Sequence, residues 1–554
     1  MPPDLANVVA TVKAELTGPG GEFELAPQDV RGVRLPVFVN RRRSLRSWLA
    51  DSAAFSEREC VVQDDRRLTF AQHQAAVAAL ADALAADHGV GPGDRVAILA
   101  ANSPDWLVAF WAATTLGAVV VAGNAWWTAR EAVNALSRFG ASVIVADGRR
   151  AALLDDLGVP ILRIADVPAL VATRSAATLP DVRIDEDDAA LVMFTSGTSG
   201  RPKGAVHSHR SLLSVIEYHR LSDAVVAAMN SALGAPPRTA ARRFLMSLPL
   251  FHIASLHNLA LPRLATGDTV VIDEGRFDVD RVLRLVERER ITNWAVVPTM
   301  AHRIVAHGPL EDYDLSTLVG LSINSAPSSP ALKDRVRSAV PTVQASLADS
   351  YGLTEICTAA TVASAVDLAA YPDSVGMPIA SVELRVCDAD GAVLPDGEAG
   401  EIQLRSQFTM TGYWDDPQAT ADAIDPDGWF RTGDLGHVVD GRLFIAARRT
   451  DLILRGGENV YPAEIEAVLD EYPGVQECAV LGVEHPELGQ EVAAVIVPTA
   501  GATVTEEDLR AFAAEQLAYF KVPSRWRFTE EPLRRNATGK IIRTVITATE
   551  GEQR

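Results

Sequence analysis

The sequence is poor in cysteine, which bears on metal binding and on cellular location. Its 554 residues include four widely spaced cysteines and no Cys-x-x-Cys pair: Cys60, Cys357, Cys387 and Cys478. A disulfide framework and a zinc site are therefore not expected, and this usage is typical of a reducing cytoplasm. Charged residues at positions 4, 13 and 15 interrupt the N-terminal segment, so no signal peptide is predicted.

Basic residues are fewer than acidic ones. Lys and Arg number 51 against 72 Asp and Glu, the formal net charge is −21, and the longest basic run is Arg41 to Arg43. Such a chain repels polyanions, so neither nucleic acid nor an anionic membrane surface is expected as a partner. Its 48% hydrophobic and 22% charged content is ordinary for a globular protein, and its length suggests more than one domain.

Long uncharged runs are also scarce. The segment from Leu107 to Trp127 has no charged residue and is long enough to cross a bilayer. It also contains Thr114, Gly117 and Asn124. We interpret it as a buried helix, a turn at Gly117 and a buried strand, and predict no membrane span.

Helix and strand patterns alternate along the first part of the chain. The predicted units are a helix at Phe70–His88, strands at Val96–Leu99 and Ser142–Ala146, and further units at Thr269–Ile272, Val279–Glu289 and Asn293–Val297. A capping box at Thr128–Glu131 predicts a helix ending at Gly140. Residues 223–243 suggest a surface loop, and residues 386–415 suggest turns between short strands. The alternation predicts parallel sheets covered by helices.

The last hundred residues have a different pattern. A helix is predicted from Tyr461-Pro462 to Pro473-Gly474, and strands at Cys478–Leu481 and Val492–Val497. Thr505 begins a capping box that opens another helix. These elements predict a small α+β domain with its boundary near residues 447–451.

A loop rich in glycine and hydroxyl groups follows the predicted strand Ala189–Phe194. It reads Thr195-Ser196-Gly197-Thr198-Ser199-Gly200-Arg201-Pro202-Lys203-Gly204. Its glycines allow backbone N–H groups to approach an anion, and Lys203 adds positive charge, which suits a polyphosphate. It is not a Walker A loop, because Pro202 precedes the lysine and Gly204 follows it. Taken alone, the loop is equally compatible with an ordinary surface loop.

The loop resembles the phosphate loop of the adenylate-forming superfamily, which includes acyl-CoA synthetases, nonribosomal-peptide adenylation domains and beetle luciferases. Further motifs of that superfamily follow in order: Asp349-Ser350-Tyr351-Gly352-Leu353-Thr354-Glu355, Trp429-Phe430-Arg431-Thr432-Gly433-Asp434, Arg448-Arg449-Thr450-Asp451 with Gly456 to Glu466, and Asn536-Ala537-Thr538-Gly539-Lys540. The resemblance spans about residues 45 to 543. Five motifs in one order are highly specific.

The resemblance implies an α/β fold with two unequal domains. Residues 1–449 would form a large N-terminal adenylation domain of βα units, with mostly parallel sheets and a β-barrel-like part. Residues 450–554 would form a small, mobile C-terminal α+β domain that carries the catalytic lysine. The hinge position, commonly Lys or Asp, is Thr450 in this sequence.

The resemblance also implies a nucleotide site. Tyr351 would stack on adenine, Thr354 would contact the α-phosphate, and Glu355 would be the Mg²⁺ ligand, a role that suits a hard carboxylate. Asp434 would accept from the ribose hydroxyls, and Arg448 would hold a phosphate or ribose oxygen. The remaining implied nucleotide-binding or CoA-binding positions are the phosphate loop itself, Ser325, Ala326, Pro327, Asp349, Ser350, Gly352, Gly456 and Gly457.

Lys540 and His252 would serve the reacting carboxylate. Lys540 would bridge the carboxylate and the α-phosphate, two anions that otherwise repel. His252 would lie beside the substrate carboxylate, where amino-acid-activating domains carry Asp, and a neutral imidazole cannot pair with a substrate ammonium. Small or apolar residues dominate the implied pocket, among them Thr299, Met300, Thr358 and Ala359. An uncharged acyl tail, fatty or aryl, therefore fits best.

The sequence thus predicts an ATP- and Mg²⁺-dependent acyl-CoA synthetase of the cytoplasm. It would form acyl-AMP and pyrophosphate and then transfer the acyl group to CoA; the oligomeric state stays open and is compatible with a homodimer. Because Lys540 lies close to Arg554, no fused carrier domain is expected, but a carrier-protein phosphopantetheine supplied in trans is a close rival to CoA. The fold is also compatible with a luciferase-like oxygenase, which no feature of the sequence favours, and with a non-catalytic nucleotide-binding module, against which the intact motifs argue.

Overall fold

The structure, a computed structural model, describes most of the chain. The described residues are 3–154, 157–195, 203–232, 234, 240–324, 328–344, 346–448, 451–455, 458–485, 488–536 and 540–546.

Helices and strands alternate along the chain. The helices are α1 (Pro3–Thr17), α2 (Leu45–Asp51), α3 (Phe70–His88), α4 (Pro104–Thr115), α5 (Ala129–Leu136), α6 (Gly148–Ala151), α7 (Val167–Thr173), α8 (His209–Ala232), α9 (Leu261–Thr266), α10 (Val279–Arg288), α11 (Pro298–Ala306), α12 (Pro330–Ala339), α13 (Ala365–Ala370), α14 (Pro417–Ala423), α15 (Pro462–Asp470) and α16 (Glu506–Gln516). The strands up to residue 363 are β1 (Leu25–Val30), β2 (Val33–Phe38), β3 (Glu59–Gln63), β4 (Arg66–Thr69), β5 (Arg95–Leu99), β6 (Val119–Ala122), β7 (Val143–Ala146), β8 (Ile161–Arg163), β9 (Ala189–Thr195), β10 (Lys203–Ser208), β11 (Arg243–Met246), β12 (Thr269–Ile272), β13 (Asn293–Val296), β14 (Gly320–Ile323), β15 (Ala348–Gly352) and β16 (Ala359–Ala363). The later strands are β17 (Met377–Pro378), β18 (Val382–Cys387), β19 (Gly400–Ser406), β20 (Gly412–Tyr413), β21 (Phe430–Val439), β22 (Arg442–Arg448), β23 (Ile453–Arg455), β24 (Glu458–Val460), β25 (Val475–His485), β26 (Gly489–Pro498) and β27 (Arg525–Phe528).

Two large sheets form the body of the N-terminal domain. One has the order β20-β10-β9-β6-β5-β7-β8, in which the run from β9 to β8 is parallel. The other has the order β17-β16-β15-β14-β13-β11-β12-β3-β4, parallel from β15 to β3. The predicted architecture of mostly parallel sheets with helices between their strands is therefore confirmed.

The long uncharged segment lies inside this domain. Ser103 caps α4 by accepting from Trp106 N, and every residue of α4 is buried. Gly117, with φ of +74°, turns the chain into β6, whose four residues are also buried. No described helix is long and apolar enough to cross a membrane. The prediction of a buried helix, a turn and a buried strand is confirmed.

Two sequence expectations need correction. The capping box at Thr128 and Glu131 does open a helix, but α5 ends at Leu136, before the predicted end at Gly140. The expected loop at residues 223–243 is wrong in its first half, because α8 continues to Ala232. Alanine, the best helix former, recurs there, and Asp223 is held by Arg242. Residues 235–239 lie outside the described residues.

The predicted β-barrel-like part corresponds to a four-stranded antiparallel sheet. Its order is β18-β19-β21-β22, and the described pairings leave it open. Within residues 386–415, turns at Gly391 and Gly397 do separate short strands, as expected.

The smaller C-terminal domain has a sheet and a core of its own. Strands β24, β23, β26 and β25 lie in that order, and β27 pairs with β26. Helices α15 and α16 pack through Ile465, Leu469 and Leu509 against apolar residues of this sheet. The two predicted helices and two predicted strands of this region are all present. The exact boundary at 449/450 stays a prediction, since both residues lie outside the described part.

Gly376 offers a test of the fold near β17. Its φ is +88°, and an added Cβ would lie 1.9 Å from the carbonyl oxygen of Val362. We expect Gly376→Ala to destabilise the protein by about 3 kcal/mol or more, because backbone strain and a backbone clash combine. Gly391→Ala is the matched control, since its φ is +87° and no heavy atom lies within 4 Å. Urea unfolding should show a loss of about 1–2 kcal/mol there; equal losses would contradict the role of the clash.

Candidate active site

A cleft of about 1680 Å³ lies at the carboxyl ends of parallel strands. Thr195 ends β9, Gly352 ends β15, and Asn324 follows β14; all three line the cleft. This is where open parallel sheets bind their ligands. The C-terminal domain also contributes lining residues, including Lys540.

The cleft brings together most of the predicted site residues that the structure describes. Those lining it are Thr195, Lys203, His252, Asp349, Ser350, Tyr351, Gly352, Thr354, Glu355, Asp434 and Lys540. Of the segments expected to face the acyl group, Thr358 and Ala359 line it, whereas Thr299 and Met300 do not.

Other predicted positions lie outside the described residues. They are Ser196, Gly197, Thr198, Ser199, Gly200, Ser325, Ala326, Pro327, Thr450, Gly456 and Gly457. Arg448 is described in its backbone, which pairs with that of Asp434 across β21 and β22.

The predicted adenine and ribose residues are in contact. Tyr351, near the end of β15, donates from its hydroxyl to Asp434 Oδ2 at 2.6 Å. Asp434 is buried on β21, and its backbone N–H donates to Thr432 Oγ1 at 3.0 Å. Two motifs that are 83 residues apart in the sequence therefore form one corner of the cleft.

Glu355 lies beside a tyrosine that the sequence did not single out. Its Oε1 accepts a hydrogen bond of 2.8 Å from the Tyr413 hydroxyl. Strand β20, which carries Tyr413, pairs with β10, and Lys203 Nζ lies 4.8 Å from the centre of the Tyr413 ring. Burial, and then the charge of Glu355, raise the pKa of Tyr413, so its hydroxyl keeps its proton. A carboxylate and a cation thus face the same part of the cleft.

The segment that carries His252 is fixed by Asn102. Asn102 Nδ2 donates to the carbonyl of Leu248, and its Oδ1 accepts from Leu250 N, both at 2.8 Å. Burial, followed by the positive charge of Lys540, lowers the pKa of His252 to about 3. The imidazole is therefore neutral at pH 7, as the sequence prediction requires.

The backbone of Lys540 is held by Asn536. Its backbone N–H donates to Asn536 Oδ1 at 2.9 Å, and Asn536 N donates back to the Lys540 carbonyl at 2.8 Å. Three residues later, Arg543 forms ion pairs with Glu466 at 2.6 Å and with Asp451 at 3.3 Å. Arg543 therefore ties the lysine segment to Asp451 and to helix α15, contacts that the sequence analysis did not predict.

Asp349 is engaged by its neighbours. Lys333 Nζ lies 2.8 Å from its Oδ2, which also accepts from Ser328 at 2.9 Å. The Lys333 and Asp349 side chains are 3% and 4% exposed, and Lys333 also donates to the Pro372 carbonyl at 3.0 Å. This pair holds α12 against β15, the strand that carries Tyr351. Sequence reasoning missed Lys333, because a lone lysine in an amphipathic helix is usually a solvated charge.

Comparison with known proteins identifies the class that this fold and cleft define. The model of the AMP-binding enzyme family matches residues 49–414, and that of the AMP-binding enzyme C-terminal domain matches residues 464–540. The chain therefore belongs to the AMP-binding enzyme family, the adenylate-forming acyl-CoA synthetase type.

Curated relatives and solved structures agree with this assignment. A feruloyl-CoA synthase of Amycolatopsis sp is 36% identical, covering 91% of this chain and 98% of the relative. The long-chain-fatty-acid–CoA ligase FadD13 of Mycobacterium tuberculosis is 34% identical, covering 87% and 93%. The crystal structure of ATP-bound MatB from Rhodopseudomonas palustris is 29% identical and superposes with a TM-score of 0.80, covering 91% and 97%.

The buried pair of Lys333 and Asp349 gives a stability prediction. Lys333→Met should destabilise the protein by about 3–5 kcal/mol, because it leaves the Asp349 carboxylate buried without its cation. Adding Asp349→Asn should recover much of that loss, since the buried charge is then removed as well. Chemical denaturation of both single variants and the double variant measures the coupling; simple additivity would contradict it.

Proposed function

We propose that this chain is an ATP-dependent acyl-CoA synthetase acting on a carboxylic acid with an uncharged tail. The acid and ATP give acyl-AMP and pyrophosphate, and CoA then takes the acyl group and releases AMP. The observation that carries the proposal is the single cleft where Tyr351 with Asp434, Glu355 with Lys203, and Lys540 with His252 come together.

The nucleotide occupies the end of the cleft formed by β15 and β21. The Tyr351 ring stacks on adenine. Asp434 accepts hydrogen bonds from the ribose hydroxyls, either in place of the Tyr351 hydroxyl or in addition to it. Thr354 follows on the same segment and contacts the α-phosphate. Thr195 and Lys203 flank the phosphate loop, so their positions at the cleft support a polyphosphate there.

Glu355 is the residue that would hold Mg²⁺. Among the described residues no group of three or more His, Cys, Asp or Glu could form a metal site. One carboxylate at the cleft nevertheless fits Mg²⁺, which commonly takes one or two carboxylates and completes its shell with phosphate oxygens and water. The ion would supply positive charge to the pyrophosphate group, and the Tyr413 hydroxyl keeps Glu355 oriented.

The first step joins two anions. A carboxylate oxygen of the acid bonds to the α-phosphorus, the bond from that phosphorus to the bridging oxygen breaks, and pyrophosphate leaves. Lys540 lies between the two anions and stabilises their accumulated charge, as positioned cations do in phosphoryl transfer. His252 stays neutral and orients the carboxylate without adding a proton.

The second step uses the acyl-AMP as an activated acyl donor. The thiol sulfur bonds to the carbonyl carbon, the bond to the AMP oxygen breaks, and the thiol proton is released. We propose that residues 450–554 rotate about Thr450 between the steps, which removes Lys540 and brings Gly456 and Gly457 beside the thiol. Arg543, which links Asp451 to the lysine segment, would make those parts move together.

A panel of acids tests the proposed function. Acid-dependent exchange of pyrophosphate into ATP, and AMP release that rises on adding CoA, are the expected results. If no fatty or aryl acid of the panel supports exchange, the protein is a non-catalytic nucleotide-binding module instead. AMP release that needs a phosphopantetheinylated carrier protein rather than CoA would favour carrier loading over CoA ligation.

Lys540 separates the two half-reactions. Lys540→Ala should lower adenylation by about 10²–10³-fold, because the charge-rich transition state loses its cation. Thioester formation from supplied acyl-AMP should remain close to the unsubstituted rate. Lys521→Ala is the matched control, since Lys521 pairs with Glu464 in the same domain. Equal losses of rate in both half-reactions would contradict a role of Lys540 that is specific to adenylation.

A further inference from the structure

The part of the cleft around His252 and Thr358, where the proposed function places the acyl group, contains both apolar and neutral polar side chains. The apolar ones include Phe244, Ile253 and Leu259, and the polar ones include His219, Asn258 and Thr358. Asn258 lies on a helical turn six residues after His252, so this polar cluster is displaced by one to two turns from the expected carboxylate position.

Hydrogen bonds within the cluster fix the tautomer of His219. Asn258 Oδ1 accepts from the Thr358 hydroxyl and lies 3.4 Å from His219 Nε2. A carboxamide oxygen only accepts, so His219 carries its proton on Nε2. Its other ring nitrogen, Nδ1, is then an acceptor, and among the described residues no donor pairs with it.

The cluster is uncharged. Burial, followed by the positive charge of Arg263, lowers the pKa of His219 to about 3, so the ring is neutral at pH 7. Arg263 itself lies 3.3 Å from Asp268 and 3.9 Å from Asp223. Arg242 pairs with the same two carboxylates, so the two positive charges and the two negative charges neutralise one another. A charged acyl tail would find no counter-ion left over in this network.

A plain hydrocarbon tail also fits the cluster poorly. It would displace water from His219 Nδ1 and leave that acceptor without a partner. Sites built to hydrogen-bond a substrate group discriminate strongly against analogues that lack it. A substrate hydroxyl could donate to Nδ1 while the rest of the acyl group contacts Phe244 and Leu259.

We infer that His219 and Asn258 make this enzyme select acids that carry a hydroxyl group distant from the carboxylate. The hydroxyl donates to His219 Nδ1, and Asn258 holds the imidazole in the required tautomer. This inference rests on the proposed acyl-CoA synthetase function and narrows its substrate class.

Matched pairs of acids test the inference on the unsubstituted protein. One pair is 3-phenylpropanoic acid and 3-(4-hydroxyphenyl)propanoic acid; the other is octanoic acid and 8-hydroxyoctanoic acid. The readout is kcat/KM for acid-dependent AMP release with CoA present. We expect the hydroxylated member of at least one pair to be preferred by about tenfold or more.

Two substitutions assign the preference to these residues. His219→Phe and Asn258→Leu should each bring the ratio within a pair towards one, chiefly by lowering kcat/KM for the hydroxylated acid. His307→Phe is the matched control, because His307 bonds Tyr313 away from the cleft, and it should keep the original ratio.

The outcomes separate this inference from the function on which it rests. Equal kcat/KM within both pairs overturns the inference while leaving the acyl-CoA synthetase intact, and this comparison needs no variant to fold. A preference that survives both substitutions also overturns it. Absence of activity with every acid overturns the proposed function and the inference together.

Discussion

Positive charge has to be concentrated at one place in a chain whose net charge is −21. The proposed reaction brings a carboxylate against a triphosphate, and neither anion can approach the other in an acidic cleft without local cations. The structure separates two uses of basic residues. Lys333 and Arg263 line the cleft but are matched by Asp349 and Asp268, so they hold elements together. Lys203 and Lys540 line it on segments that the motifs mark.

A neutral histidine follows from the same constraint. His252 lies close enough to Lys540 for that charge to lower its pKa, and burial lowers it more. A protonated imidazole there would compete with Lys540 for the carboxylate and repel the lysine. In the proposed reaction, a neutral ring would leave Lys540 as the cation between the carboxylate and the α-phosphate. Asn102 fixes the backbone of the segment that carries the ring.

The sequence predicted which residues line the cleft better than it predicted the residues that support them. Tyr351, Glu355, Asp434 and Lys540 lie in short sequence motifs that can be recognised locally, without knowledge of the fold. Tyr413, the partner of Glu355, comes from a strand 58 residues further along the chain. Lys333 lies on the preceding helix α12, and its pairing with Asp349 appears only once that helix is packed against β15. The expected loop after residue 223 failed for a related reason. Asp223 looks like a surface charge until its pairing with Arg242 is seen.

Contacts between residues distant in the sequence also change which acyl tail is expected. In the sequence, small and apolar residues dominate the segments expected to form the acyl pocket, which favoured an uncharged tail. Helix α8, which continues into the expected loop, carries His219 and Asp223 one turn apart. Folding brings His219 to Asn258, and Asp223 to Arg242 and Arg263. The charges of Arg242 and Arg263 are thereby neutralised by Asp223 and Asp268, while the neutral acceptor of His219 remains at the surface of the cleft. An uncharged tail still fits, but a tail with a hydroxyl group can pair with His219 Nδ1, whereas a hydrocarbon leaves that acceptor without a partner.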